Sequence, residues 1–94
     1  MSIMAKLYKT SGEIIEVFPD NGTDFSLDEL QDFVEGYIEI INLGDDNIIV
    51  INEEGKFINL PYNELATKAY NKAVGAKVDN IVGNALICKN SEVK

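Results

Sequence analysis

The chain has 94 residues, of which 46% are hydrophobic and 26% charged, and these values are typical of one small globular domain. Its 16 acidic and 8 basic residues give a net charge of −8. This balance argues against binding of duplex DNA or RNA, because such binding needs a basic surface. The chain contains no histidine, which excludes a histidine base and a histidine-ligated zinc site. The single cysteine, Cys88, cannot form an internal disulfide.

The charge is distributed unevenly along the chain. Residues 1–54 hold 13 carboxylates and two lysines and carry a net charge of −11, whereas residues 55–94 carry a net charge of +3. A small anionic ligand is therefore expected to prefer the second half of the chain. Most of the acidic side chains are expected only to keep the protein soluble.

The first two predicted elements form a β-hairpin. Ile3–Thr10 alternates apolar and polar side chains, and Glu13–Phe18 is rich in β-branched residues. Ser11 and Gly12 form the predicted turn between these two strands. Pro19 ends the second strand, because proline has no N–H group to donate to a sheet.

A helix is predicted to begin after Ser26. Ser26 and Glu29 have the spacing of a capping box, in which each side chain binds the backbone N–H of the other residue. Phe25 and Leu30 flank this box with the spacing of a hydrophobic staple. Gly36 is predicted to end the helix in a left-handed backbone conformation.

The rest of the chain is predicted to contain four strands and a second helix. Three of the strands are Tyr37–Leu43, Asn47–Asn52 and Lys56–Leu60. The second helix, Glu64–Val74, is capped by Asn63 and closed by Gly75. The last predicted strand is Asn80–Cys88.

The predicted order, ββαβββαβ, indicates an α+β fold in which a mainly antiparallel sheet is covered by two helices. Residues 1–94 are expected to form a single domain, compact over residues 1–89 and ending in a frayed tail over residues 90–94. No apolar run approaches the ~18 residues needed to span a membrane, and no signal peptide is visible. Together with the unpaired cysteine, these features predict a cytoplasmic protein.

No pattern typical of catalysis is found. The carboxylates lie in predicted turns and helix starts, so neither a metal site nor an acid–base pair is expected. Cys88 lies in an apolar strand with no histidine to activate it, and is expected to be packed and inert. The sequence contains no glycine-rich nucleotide loop. We therefore expect no enzymatic activity, no metal and no cofactor.

The second predicted helix carries the candidate binding residues. Its start offers free backbone N–H groups and a partial positive charge, which suit an anion. Tyr62 precedes this start and offers a ring for stacking on a base, while Lys68 offers an ammonium group. Helical spacing predicts that Ala66 and Tyr70 face the sheet and that Thr67 faces solvent. An ordinary amphipathic helix and a subunit contact are the alternative interpretations.

Four tyrosines supply amphipathic rings. Tyr37 and Tyr70 are predicted to lie at the rim of the core with their hydroxyl groups at the surface. Tyr8 and Tyr62 are predicted to be the more exposed pair.

Six strings of the sequence carry a family resemblance. They are Gly12–Val17, Phe25–Gln31, Gly36–Glu39, Asn52–Gly55, Leu60–Tyr70 and Ile81–Cys88. Together they resemble a small domain family of phages and mobile elements whose function is unknown. The most specific string is Leu-Pro-x-Asn-x-x-Ala-Thr-x-x-Tyr, which begins at Leu60, and the resemblance extends over nearly the whole chain.

The resemblance implies a function in phage counter-defence. Proteins of this kind look like sponges that bind the cyclic dinucleotides of bacterial CBASS immunity without cleaving them, typically between the subunits of a homo-oligomer. The resemblance implies that Asn63 and Thr67 contact the ligand, with Tyr62 and Tyr70 as aromatic neighbours, and charge alone adds Lys68. Because the chain has no arginine, backbone N–H groups, threonine, asparagine and lysine must hold the phosphates. The predicted ligand-binding set is Tyr8, Tyr62, Asn63, Thr67, Lys68 and Tyr70.

A protein-interaction inhibitor is the alternative function. The acidic half of the chain can mimic the phosphate charge of DNA and so occupy a host DNA-binding enzyme. The carboxylates on the outer side of the first predicted helix are Asp28, Glu29, Asp32 and Glu35. Binding of this kind is expected to weaken steeply as salt is added.

Overall fold

The computed structural model describes residues 5–75 and 80–93, and these residues form one five-stranded antiparallel sheet and two α-helices. The strands are β1 (Ala5–Tyr8), β2 (Ile14–Val17), β3 (Ile38–Gly44), β4 (Asn47–Asn52) and β5 (Ala85–Lys89). The helices are α1 (Leu27–Val34) and α2 (Glu64–Val74). The order of strands across the sheet is β2-β1-β5-β4-β3, and every neighbouring pair is antiparallel.

The sheet has an apolar cluster on each face, because successive side chains of a strand point to opposite faces. On one face, Leu30 of α1 packs with Val50 of β4 and Leu86 of β5. On the other face, Ala66 of α2 packs with Ile49 of β4. Strand β4 therefore supplies both clusters, which explains why its centre is an uninterrupted apolar run.

The predicted α+β fold, with an antiparallel sheet and two helices, is confirmed. The predicted strand Lys56–Leu60 is wrong, because residues 53–59 form consecutive turns. The N–H of Leu60 donates to the C=O of Gly55 at 2.9 Å, so this segment satisfies backbone groups locally instead of pairing with the sheet. We call residues 53–59 the turn segment.

The first and last strands are shorter than predicted. Strand β5 begins at Ala85 and not at Asn80, because Gly83 has a φ of 77°, which lies outside the strand region. The first predicted strand includes Ile3 and residue 4, which lie outside the described residues, and its described part ends at Tyr8. The turn that follows β1 is closed by a hydrogen bond from the N–H of Gly12 to the C=O of Lys9.

Helix α1 begins as predicted and ends differently. The capping box is present: the N–H of Glu29 donates to Ser26 Oγ at 3.2 Å, and the N–H of Ser26 donates to Glu29 Oε1 at 2.8 Å. The left-handed residue that ends the helix is Glu35, with a φ of 62°, and not Gly36. Gly36 is needed for a close approach, because a Cβ atom there would lie 2.6 Å from Asn52 Nδ2.

The end of the chain is packed against the body of the domain, so the predicted frayed tail is wrong for residues 90–93. The N–H of Phe25 donates to the C=O of Glu92 at 2.6 Å, and Val93 forms a parallel bridge with Phe25. Glu92 itself is buried, and its Oε1 accepts a hydrogen bond from the N–H of Lys89 at 2.9 Å. The end of the chain thus packs beside Phe25, whose ring is fully buried. Residue 94 lies outside the described residues.

Deletion of residues 90–94 is expected to lower the free energy of unfolding by about 2 kcal/mol, because it exposes the Phe25 ring and frees a buried N–H group. The melting temperature should fall by about 10 °C for a domain of this size. Glu92→Gln, which keeps an oxygen for the N–H of Lys89, serves as the milder control. Urea unfolding and a thermal melt measure both, and a deletion variant as stable as the parent would contradict the packed tail.

Candidate functional site

The start of α2 is built around the side chain of Asn63, which is only 1% exposed. Its Oδ1 accepts a hydrogen bond from the N–H of Ala66 at 3.0 Å and so caps the helix, as predicted. Its Nδ2 donates to the C=O of Tyr8 at 2.8 Å and to the C=O of Gly83 at 2.9 Å. One buried amide thus joins α2, the end of β1 and the segment before β5.

Thr67 makes a second link between α2 and the segment before β5. Its side chain is buried, and Oγ1 accepts a hydrogen bond from the N–H of Ile81 at 2.8 Å. The C=O of Ile81 in turn accepts a hydrogen bond from the N–H of Asn63 at 2.8 Å. The predicted solvent-facing position of Thr67 is therefore wrong, because these bonds hold the residue on the inner face of α2.

The side chains of Asn63 and Thr67 are occupied by contacts within the chain. Both side chains are buried, and their polar atoms are hydrogen-bonded within the chain. The start of α2 is also a poor site for an anion, since the Asn63 cap already takes the N–H of Ala66 and Glu64 adds a carboxylate to the first turn. The motif Leu-Pro-x-Asn-x-x-Ala-Thr-x-x-Tyr has a structural explanation at these two positions.

The remaining predicted residues differ in their surroundings. Lys68 Nζ lies 3.0 Å from Glu64 Oε2 in an exposed ion pair, so its charge is partly matched within α2. Tyr62 is exposed, as predicted. Tyr8 is half-buried against the cluster beneath α2, and Tyr37 is 67% exposed, so the predicted exposures of these two rings are wrong. The pleat of β1 turns Tyr8 towards α2, which sequence alone did not show.

Tyr70 lines a groove between α2, the sheet and the turn segment, and this groove encloses about 200 Å³. Its floor is apolar and includes Ile41 of β3 and Ile51 of β4. Phe57 lies on its rim with 86% of its surface exposed. We call this feature the Phe57–Tyr70 groove. Its polar lining residues are Glu39, Asn52, Glu53, Lys56 and Asn80.

The groove combines surface for a flat ring with acceptors for N–H groups. The rings of Phe57 and Tyr70 offer aromatic contact, and such contact with a nucleobase is typically worth about 1–3 kcal/mol per base. The carboxylates of Glu39 and Glu53 accept hydrogen bonds and do not donate them when ionised. Lys56 is the lysine at the rim, so an anionic group meets one positive and two negative charges.

Sequence reasoning missed Phe57, because Lys56–Leu60 was assigned to a strand, in which alternate side chains pack. One signal was available. Phe57 and Ile58 are adjacent large apolar residues in a segment bounded by Gly55, and two neighbouring residues of a strand cannot both face one core. In the structure both are exposed, as expected for a segment of turns.

A second candidate surface surrounds α1 and is acidic. Two grooves, of about 430 and 370 Å³, flank the helix and share Asp32. The first contains Glu35 and Glu54 beside the exposed ring of Tyr37, and no lysine is among the described residues that line either groove. The second contains Glu16, Asp20 and Glu29 beside the exposed ring of Phe18. We call the two grooves together the acidic surface.

The pKa of the Glu29 carboxyl is held below its usual value by hydrogen bonds from the backbone N–H groups of Ser26 and Asp20. A lowered pKa keeps this carboxylate ionised at neutral pH. Glu29 therefore contributes a fixed negative charge to the acidic surface.

No candidate metal site is found in residues 5–75 and 80–93. These residues contain no group of three or more histidine, cysteine or acidic side chains that could hold a metal ion. Burial, and to a lesser extent the Glu92 carboxylate, raises the pKa of the Cys88 thiol to about 12, so the thiolate form is scarce at neutral pH. None of the helices in this part of the chain is long and apolar enough to cross a membrane.

A comparison with protein-family models gives a match to the family described as "Domain of unknown function (DUF3846)", over residues 7–93. No curated protein and no solved structure matches the chain. The family match covers both helices, both candidate surfaces and the sheet except for Ala5 and Lys6 of β1.

Asn63→Ala is expected to lower the free energy of unfolding by about 3 kcal/mol, because it removes the helix cap and the amide that donates to the carbonyl groups of Tyr8 and Gly83. Lys68→Ala in the same helix removes only an exposed ion pair and should change this free energy by less than about 1 kcal/mol. Urea unfolding followed by circular dichroism measures both variants. Wild-type stability of Asn63→Ala would contradict the structural role assigned to this amide.

Proposed function

The chain belongs to the DUF3846 family of unknown function, and from its geometry we propose that it is a non-catalytic binding protein that sequesters a small cyclic nucleotide. The observation that carries the proposal is the Phe57–Tyr70 groove, where two aromatic rings, an apolar floor and hydrogen-bonding groups converge. The resemblance to cyclic-dinucleotide sponges supplies the setting, which is phage counter-defence in the cytoplasm of a bacterial host.

A base of the nucleotide lies against Phe57 and Tyr70 in this proposal. The carboxylates of Glu39 and Glu53 then accept hydrogen bonds from the N–H groups on the edge of the base. A base rich in such donors is favoured over one that presents only acceptors. A groove of about 200 Å³ accommodates one base and leaves the sugar and phosphate outside.

The phosphates lie at the outer rim of the groove, on the side of Lys56. Two carboxylates inside the groove repel a phosphate, and the start of α2 already carries the Asn63 cap and the Glu64 carboxylate. Of the six residues predicted from the sequence, the proposal retains Tyr70 in direct contact with the ligand. Asn63 and Thr67 support the groove indirectly by fixing α2.

We infer binding without cleavage from the side chains that line the groove. Cleavage of a phosphodiester needs a nucleophile and a base, or metal ions that activate water. Among the described residues, the groove contains no thiol and no serine or threonine hydroxyl, and no cluster suited to a metal lies nearby. A protein of this kind acts by removing its ligand from solution.

Calorimetric titration with a panel of cyclic dinucleotides tests this function, and binding of at least one member is expected. Phe57→Ala should weaken that binding about tenfold, which is the loss of one stacking contact. Ile58→Ala is the matched control, because Ile58 is the exposed neighbour of Phe57 and lines a different groove.

Two outcomes of the titration would overturn the proposal. The first is that no member of the panel binds, and the second is that Phe57→Ala and Ile58→Ala bind as tightly as the parent. Recovery of intact ligand after heat denaturation of the complex supports sequestration. Recovery of cleaved ligand would instead identify an enzyme.

A protein-interaction inhibitor is the second candidate function, and the acidic surface favours it. Exposed rings beside carboxylates, with no lysine among the described lining residues, suit a basic partner that also presents apolar side chains. A DNA-binding enzyme has such a surface where it holds phosphates. In this alternative the chain occupies the DNA site of a host defence enzyme.

Inhibition of plasmid cleavage by a panel of bacterial nucleases tests the alternative. Inhibition is expected to fall steeply between low and high NaCl and to be weakened several-fold by Asp32→Asn, which removes the carboxylate shared by both grooves. Asp45→Asn is the control, since it removes the same charge from the β3–β4 turn, at a residue that lines neither groove. Absence of inhibition, or inhibition unchanged by salt, would exclude this function.

A further inference from the structure

Strand β3 leaves one of its two sides open. The N–H of Glu53 donates to the C=O of Tyr37 at 2.9 Å, and the register pairs Glu39 with Ile51 and Ile41 with Ile49. Backbone groups of alternate residues in an antiparallel strand point to opposite sides. The N–H and C=O groups of Ile38, Ile40 and Asn42 therefore point away from β4.

No backbone hydrogen bond within residues 5–75 and 80–93 reaches these outward groups, because β3 is the last strand of the sheet and pairs with β4 alone. Proteins usually protect such an edge with a lysine, a proline or a short strand. Strand β3 has seven residues, a single charged side chain in Glu39, and an irregularity only near its end, between Asn42 and Gly44. The side chain of Ile40 is 45% exposed at the centre of this edge.

The opposite edge of the sheet is less suited to pairing. Strand β2 has only four residues, and the hydrogen bond from the N–H of Lys9 to the C=O of Glu13 sets which of its groups point outward. The outward backbone groups belong to Ile14 and Glu16, so one of the two residues that would pair with another strand is charged. The two edges therefore allow a matched comparison.

We propose that the outer edge of β3 pairs with β3 of a second copy of this chain, antiparallel and centred on Ile40. This register places Ile40 opposite Ile40 of the second copy and forms about six backbone hydrogen bonds through the outward groups. It also places Glu39 opposite Ile41 of the second copy, so the carboxylates do not face each other directly.

Self-pairing is favoured over pairing with an unrelated peptide because this register is complementary to itself. A two-fold arrangement puts the same residues on both sides of the interface, and closing it covers both open edges at once. The result is one continuous sheet through the dimer, to which each copy contributes its five-stranded sheet. Isoleucine lies against isoleucine at its centre, as cross-strand pairs prefer.

Charge opposes the association and gives it a characteristic salt dependence. Each copy has a net charge of −8, so the two copies repel each other. Added salt screens this repulsion, so dimerisation is expected to strengthen with NaCl. A basic partner bound to the acidic surface would show the opposite dependence.

Sedimentation of the full chain over a range of concentrations and NaCl tests the proposal, and a monomer–dimer equilibrium favoured by salt is expected. Ile40→Lys should weaken dimerisation at least about tenfold, because it places like charges at the centre of the pairing. Ile14→Lys makes the same change at a similarly exposed position on β2 and should leave dimerisation unchanged.

Amide hydrogen exchange of the unmodified chain provides a second readout that does not depend on the folding of a variant. The amide of Ile40 should exchange more slowly at high than at low protein concentration, while that of Ile14 should not change. A chain that stays monomeric at every concentration would overturn the proposal, as would a dimer disrupted by Ile14→Lys and not by Ile40→Lys. Nucleotide binding by a monomeric chain would leave the proposed function intact and remove this interface alone.

Discussion

The side-chain amide of Asn63 holds together parts of the chain that are far apart in sequence. It caps α2 through Ala66, and it donates to the carbonyl groups of Tyr8 and Gly83. Each of these groups is removed from water, so each would cost about 1–3 kcal/mol if left without a partner. Replacement by a residue with only acceptors or only donors cannot satisfy all three. The position therefore demands an amide of this length.

This constraint explains the most specific string of the sequence. Asn63 and Thr67 fix α2 against the segment that contains Ile81, and their side-chain polar atoms are hydrogen-bonded within the chain. With α2 fixed, Tyr70 is held over Ile41 and Ile51, and the turn segment closes the groove from the other side.

The parts of the fold that were predicted correctly depend on contacts between near neighbours in sequence. The capping box of Ser26 and Glu29 spans three residues, and Asn63 caps a helix that begins at the next residue. The errors depend on distant contacts. Thr67 turns inward because of Ile81, and the end of the chain is ordered by Phe25. A single sequence carries no record of which distant groups meet.

Of the residues that line the candidate groove, the sequence predicted only Tyr70 as a ligand contact. Tyr70 was proposed as a ligand contact from the family resemblance, helical spacing placed it on the side of α2 that faces the sheet, and it lines the groove. Phe57 was missed because its exposure depends on the turn segment folding on itself, through bonds such as that from Leu60 to Gly55. Glu39 and Glu53 are distant from Tyr70 in sequence, and only the pairing of β3 with β4 brings all of them to one groove.

Strand β3 contributes both to the proposed dimer edge and to the Phe57–Tyr70 groove. The backbone groups of Ile38, Ile40 and Asn42 form its outer edge, whereas the side chains of Glu39 and Ile41 line the Phe57–Tyr70 groove. Pairing of two β3 edges places the two grooves side by side on one face of the extended sheet. A ligand that contacts Glu39 more favourably in the dimer must stabilise the dimer by the same factor, because the two equilibria are linked. The edge and the groove are therefore coupled to the extent that the ligand binds the dimer and the monomer with different affinities.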